Sequence, residues 1–149
     1  MNIEDYNKKI TNGSASRFIK EDWLNSNCDI DATAFDLRDI TPPETYVSFF
    51  IVTGSDKESK FNAAHKKLPK KLLSEGGAIV ILEIRECLEE INDELDDLIC
   101  FQKEKRSHCG LYYLTEELSK IVEIKNTLCF LAKENFLKVA IQEKISLVP

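Results

Sequence analysis

Tyr46-Val47-Ser48-Phe49-Phe50-Ile51-Val52 decides how this chain folds. The run is aromatic and β-branched, follows Pro42-Pro43 and ends before Gly54-Ser55. Such a run predicts a strand covered on both faces, placed inside a sheet rather than at its edge. Ala78-Ile79-Val80-Ile81-Leu82-Glu83-Ile84 has the same character. The segment between the two carries helix signals, so the pair predicts a βαβ-like unit on which the other segments pack. The expected class is α+β, or α/β. We expect one domain with a mixed sheet of about four to six strands and about two or three packed helices.

Outward from this unit the signals are local. Ser55-Asp56-Lys57-Glu58 has capping-box spacing, with Ser55 as cap and Glu58 reaching back. Phe61, Ala64, Leu68 and Leu72 recur at helical intervals, and Pro69 should interrupt that helix after Leu68. Upstream, residues 1–15 read as a flexible polar lead-in to a domain spanning 16–149. Phe18, Ile19, Trp23 and Leu24 must be partly buried, on a short strand or a helical turn. Residues 31–38 alternate as a short, half-exposed strand does.

Downstream, Leu88, Ile91, Leu95 and Leu98 fall at helical spacing beneath a dense run of carboxylates, on a helix or a loop. Strands are expected at 97–102, at 111–114 and, as a return to the sheet, at 137–142. Between the last two, Thr115 should cap a helix whose inner face is Leu118, Ile121, Val122, Leu128 and Leu131, fading near Asn135.

Composition narrows the function. The 149 residues are 43% hydrophobic and 31% charged, with net charge −6. That balance disfavours nucleic acid or an anionic membrane surface as partner, because both require concentrated positive charge. No apolar run approaches the ~18 residues of a membrane span, and Met1-Asn2-Ile3-Glu4-Asp5 does not resemble the start of a secretion signal. Cys28, Cys87, Cys100, Cys109 and Cys129 are odd in number, widely spaced and without a C-x-x-C. They are expected to be free thiols in a cytoplasmic protein, with Cys100 and Cys129 as small core residues.

Motifs with known chemistry are absent from the sequence: no dinucleotide or P-loop glycine pattern, no nucleophile elbow and no H-E-x-x-H. Neither a metal nor a cofactor is expected. Lys57, Lys60, Lys66, Lys67, Lys70 and Lys71 read as a solvated helix face, with a phosphate-binding patch as the sharper alternative. His65 falls near the apolar stripe of its helix. His108 adjoins Cys109 at the start of a strand, where neighbouring side chains point to opposite faces, so the two do not form a nucleophile–base pair.

Four short motifs occur in order: Arg17-Phe18-Ile19, Ala34-Phe35-x-Leu37-Arg38, Tyr46-Val47-Ser48 and Ser107-His108-x-Gly110. Their order resembles a widespread group of small bacterial proteins of uncharacterised function. That group shares an Arg-aromatic-Ile opening, an A-A-F segment, an S-V strand and a late S-H-A. Here Thr33-Ala34 replaces the small pair and Cys109 replaces the last alanine. The resemblance supplies no activity, but it implies that Arg17, Ser48 and His108 belong to one spatial cluster.

Two functional readings follow. The first is a small acidic protein-binding module, an immunity or antitoxin-type protein that neutralises a basic toxin. Its partner-binding residues are Glu86, Glu89, Glu90, Asp93, Glu94, Asp96 and Asp97. The second is a small nucleotide- or phosphate-handling transferase or hydrolase using Arg17, Ser48 and His108. An Arg on one strand and a Ser on the next is similar to ADP-ribosyltransferase-like folds, although no carboxylate can be assigned to the late acidic position of those folds. The balance leans away from an enzyme.

Overall fold

In a computed structural model, which describes residues 9–25 and 29–139, the chain is an α+β domain built on one antiparallel sheet. Its strands are β1 (Lys9–Ile10), β2 (Ser14–Ile19), β3 (Val47–Val52), β4 (Gly77–Glu83), β5 (Ile99–Lys103), β6 (His108–Tyr113) and β7 (Phe136–Val139). Their order across the sheet is β1-β5-β6-β3-β2-β4-β7. The helices are α1 (Lys57–Lys66), α2 (Lys70–Ser74), α3 (Ile84–Ile91) and α4 (Leu118–Glu134). The sheet is thus wider than expected, and each of its pairings is antiparallel.

The two apolar runs are β3 and β4, connected through α1 and α2 as expected. They do not touch. β2 lies between them, antiparallel to both, so the βαβ-like unit is split by an inserted strand. Lys9, Ile10, Ser14 and Ala15 belong to the sheet, within the stretch expected as a lead-in; residues 1–8 lie outside the described residues. The stretch 16–24 resolves into both of its alternatives, strand to Ile19 and then a 3-10 turn at Glu21–Trp23.

Strand alternation sorts the core into two layers. Val47 and Phe49 of β3 face the same layer as Ala15 and Ile19 of β2, Val80 and Leu82 of β4, and Phe101 and Leu111 beyond. This layer is closed by Ile84 and Cys87 of α3 and by Ile124, Leu128 and Leu131 of α4. The opposite layer is smaller: Val52, Ile79 and Ile81 against Phe61 and Ala64 of α1. Of the expected central residues, Val47, Phe49, Ile79, Ile81 and Leu128 are buried, while Ile51 is only half-buried.

Several local expectations are corrected. The helix cap is Asp56, not Ser55: its carboxylate accepts from Ser59 N at 2.8 Å, and the Ser59 hydroxyl accepts from Asp56 N at 3.2 Å. The reciprocal box is therefore present one residue later. Residues 31–38 are not a strand. The Asp31 carboxylate accepts from Thr33 N at 2.9 Å and closes a 3-10 turn at Ala32–Phe35, which buries Ala34 and Phe35 together. A local side-chain acceptor has outcompeted the ladder.

Pro69 separates α1 from α2, as expected. Before α4, Thr115 Oγ1 accepts from Glu117 N, but the cap position is Glu117 itself. Leu118 and Val122 are exposed, so the first turn of α4 stands clear of the core and the inner face begins near Ile121. The helix does end at Asn135. The last strand starts at Phe136, and the expected residues 140–142 lie outside the described residues.

Candidate functional site

Two concavities hold several of the residues that the sequence singled out. The larger, about 590 Å³, lies among α3, the loop after it, β1 and β5. Its construction begins at Ile84, where the chain passes straight from β4 into α3, anchored by Ile84 N donating to Gly13 O at 2.9 Å. Ile84 and Cys87 point into the core, which turns Arg85 and Glu89 outward. Asn92 stops the helix in extended conformation. Its side chain then clamps the returning strand, accepting from Leu98 N and Ile99 N at 2.7 and 2.9 Å and donating to Ile99 O at 3.0 Å. Within the loop the Asp93 carboxylate accepts from Leu95 N and Asp96 N at 2.8 and 2.7 Å. The helical pattern expected through Leu95 and Leu98 is thus broken after Ile91, and Leu95 is 97% exposed at the loop tip.

All seven carboxylates of the stretch are exposed, but they do not form one face. Glu89, Asp93, Glu94 and Asp97 surround the concavity, with Leu88 and Ile10 as apolar walls and Arg85 and Lys9 as its cations. Asp96 stands 3.7 Å from Lys120. Glu86 and Glu90 do not line it. Partial burial, followed by repulsion from Glu134, Glu90, Glu83 and Glu89, holds the Glu86 carboxyl above its usual range.

The second concavity, about 330 Å³, opens where the sheet comes apart. β2 and β3 are paired only from Ser14↔Val52 to Ser16↔Phe50, whereas β2 stays paired with β4 out to Ile19. Arg17 fills the seam. Its Nη1 donates to Ser48 O at 2.8 Å and its Nε to Ala34 O at 2.9 Å. The guanidinium supplies β3 with the donor that the missing ladder would have given. Burial lowers its pKa to about 10, so it stays protonated at neutral pH. Trp23 lies 5.3 Å from it and also meets Lys20 at 5.1 Å. Arg38 and Glu44 form the rim, paired at 2.9 Å, and the Arg38 hydrogen bond lowers the Glu44 carboxyl below its ordinary range.

Arg17 and Ser48 therefore meet, but through the Ser48 backbone, while both line the seam. His108 does not line it; its ring packs on Phe50 with centroids 4.4 Å apart. His65 is half-buried on α1. Cys109 is buried on the face opposite His108, as the alternation predicted. Of the lysines, Lys60 pairs with Glu83 at 3.0 Å, Lys67 donates to Ser107 Oγ at 3.0 Å, and Lys57 donates to Glu134 O at 3.2 Å. These contacts disperse the lysines along α1 rather than gathering them.

Cys87, Cys100, Cys109 and Cys129 are free; Cys28 lies outside the described residues. Burial pushes the Cys87 and Cys109 thiols up to about 12 and Cys129 to about 11. None of these three has a thiolate's reactivity at neutral pH. Among the described residues no group of His, Cys, Asp and Glu is arranged to hold a metal ion, and no helix is long and apolar enough to cross a membrane.

Sequence reasoning missed Asn92 as the clamp of the acidic loop. It also missed Lys20, Arg38 and Trp23 as companions of Arg17. Asn92 does stand where the helical pattern meets the acidic turn, a position suited to a cap. The seam residues come from separate turns, and no local pattern joins them. Comparison with family models, with curated proteins and with solved structures finds no match for this chain.

Proposed function

We propose that the protein is a binding module that receives a basic segment of a partner protein at the acidic concavity beside α3, in the manner of an immunity or antitoxin protein neutralising a basic toxin. One observation carries this reading: four carboxylates surround a cleft with Leu88 and Ile10 as apolar walls. A lysine or arginine lays its aliphatic stem on such walls and keeps its charge among the carboxylates. The net charge of −6 adds long-range attraction for a cationic partner. Free thiols fit a reducing cytoplasm.

The transferase or hydrolase reading ranks second. Arg17 and Ser48 meet in the seam, but His108 does not line it, which leaves that reading without the histidine it relies on.

The test starts from a partner captured from the native host and purified. Its association with wild type and with a Glu89→Lys, Glu90→Lys, Asp93→Lys, Glu94→Lys variant is followed at two salt concentrations. The four sites are exposed, so the variant should keep its circular dichroism, with a melting temperature lowered only by the loss of the Asp93 bonds to Leu95 N and Asp96 N. Its association rate should fall at least tenfold at low salt, and the gap should narrow as salt screens the charges. Equal rates at low salt would reduce the stretch to a solvated surface.

A further inference from the structure

The seam between β2 and β3 has the features of a ligand site rather than of a structural arginine alone. Arg17 carries a full charge in a largely desolvated position, yet its hydrogen-bond partners are two neutral carbonyls. Among the described residues no carboxylate comes within ion-pair distance of it. Glu44, the one acid on the wall, is already engaged by Arg38. Buried charges are ordinarily paired, whereas among the described carboxylates Arg17 feels only the field of Glu44, which lies beyond ion-pair distance and is bonded to Arg38. Lys20 and Arg38 add two more positive charges to the same wall, in a protein that is acidic overall. The other end of the concavity is apolar, formed by Phe18, Phe50, Leu68 and Leu72. Its volume of about 330 Å³ lies in the range that small ligands fill.

We propose that this seam binds a small organic phosphate of about mononucleotide size. The phosphate sits against Arg17, Lys20 and Arg38, and an aromatic body lies along Phe18 and Phe50. Nη2 of Arg17 makes no bond to a described residue, and an arginine edge suits a phosphate oxygen. The site is independent of the acidic concavity, and no bond-making step is assigned to it.

Trp23, the only tryptophan in the chain, stands on the wall beside Arg17 and reports occupancy by its fluorescence. The full-length protein is titrated at low ionic strength with AMP, with inorganic phosphate and with adenosine. AMP should give a saturable change, inorganic phosphate a weaker one and adenosine none. Lys20→Ala and Arg38→Ala, both at exposed positions, should keep the fold and each weaken AMP binding about threefold to tenfold. Arg17→Lys should weaken it further, and its melting curve separates lost binding from lost structure.

Three results would overturn the proposal. One is no saturable change with AMP or phosphate up to millimolar concentration. Another is equal response to adenosine and AMP. The third is AMP affinity unchanged in both surface variants. Phosphate binding as tightly as AMP would overturn the ligand class, because the apolar end would then contribute nothing.

Discussion

Tyr46 lies where a side chain on Gly110 would be. A Cβ built at Gly110 meets Tyr46 Cδ2 at 2.6 Å and Tyr46 Cγ at 2.7 Å, and these atoms are close to the rigid root of the ring. Gly110→Ala should therefore cost about 1–3 kcal/mol by overpacking. Chemical denaturation measures it, and a Tyr46→Ala background should remove part of the cost; an unchanged midpoint would mean the ring moves freely. Phe49 is the opposite case. It is 1% exposed and packs between Phe35 and Phe101 with centroids 6.4 and 6.0 Å away. Phe49→Ala should lose about 3–5 kcal/mol, and a loss below ~1 kcal/mol would contradict its central place. This burial was legible in the apolar run, because hydrophobicity is written in the residue itself. The Tyr46–Gly110 contact was not, since it depends on which strands become neighbours. The thiols make a pH prediction. Cys87 and Cys109 titrate near 12 when folded, above the ~8.5 of a free thiol. Their stabilising contribution is complete below the free-thiol value and is lost as pH rises from there toward 12. Melting temperature should fall across that interval, and less so in a Cys87→Ala, Cys109→Ala variant. A thiol reagent at pH 8 should leave both unmodified until the protein unfolds.

Among the elements, α3 and its loop depend on Asn92. One side chain makes three hydrogen bonds that tie the end of the helix to the start of β5. Asn92→Ala should cost on the order of 1–3 kcal/mol, because buried backbone donors lose their acceptor. Amide exchange at Leu98 and Ile99 should accelerate while that of β4 stays slow. Uniform acceleration across the sheet would show that the clamp is not local. β3 and β4 were readable because both are continuous apolar runs of strand length. The turn at Ala32–Phe35 was misread because a short alternating segment and a capped 3-10 turn share a composition, and only the Asp31 carboxylate distinguishes them. The inner face of α4 was half legible: period alone predicted Leu128 and Leu131, but not where the sheet beneath begins.

At the scale of the molecule, the strand order is what the sequence conceals. Runs of strand and helix predicted an α+β domain. They predicted that a last strand returns to the sheet, but not that β2 separates β3 from β4 or that the returning strand covers the far edge of β4. Without β7, β4 would present an unpaired edge along a strand that is apolar from Ala78 to Leu82. A chain ending at Asn135 should therefore scatter light on refolding at concentrations where the full chain stays clear, and equal clarity would show that the edge is protected otherwise. The interior position of β2 also has a consequence during translation. Ser14 hydrogen-bonds to Glu83 across 69 residues. At the usual pace of a ribosome, that interval lasts on the order of 3–14 s. Throughout it, β2 has emerged while its partner on the β4 side is still unmade. A sheet of this order cannot grow outward from its first strand as it is synthesised. It must close late around a segment that has waited, so neighbouring nascent chains on one message have seconds in which to pair with it first.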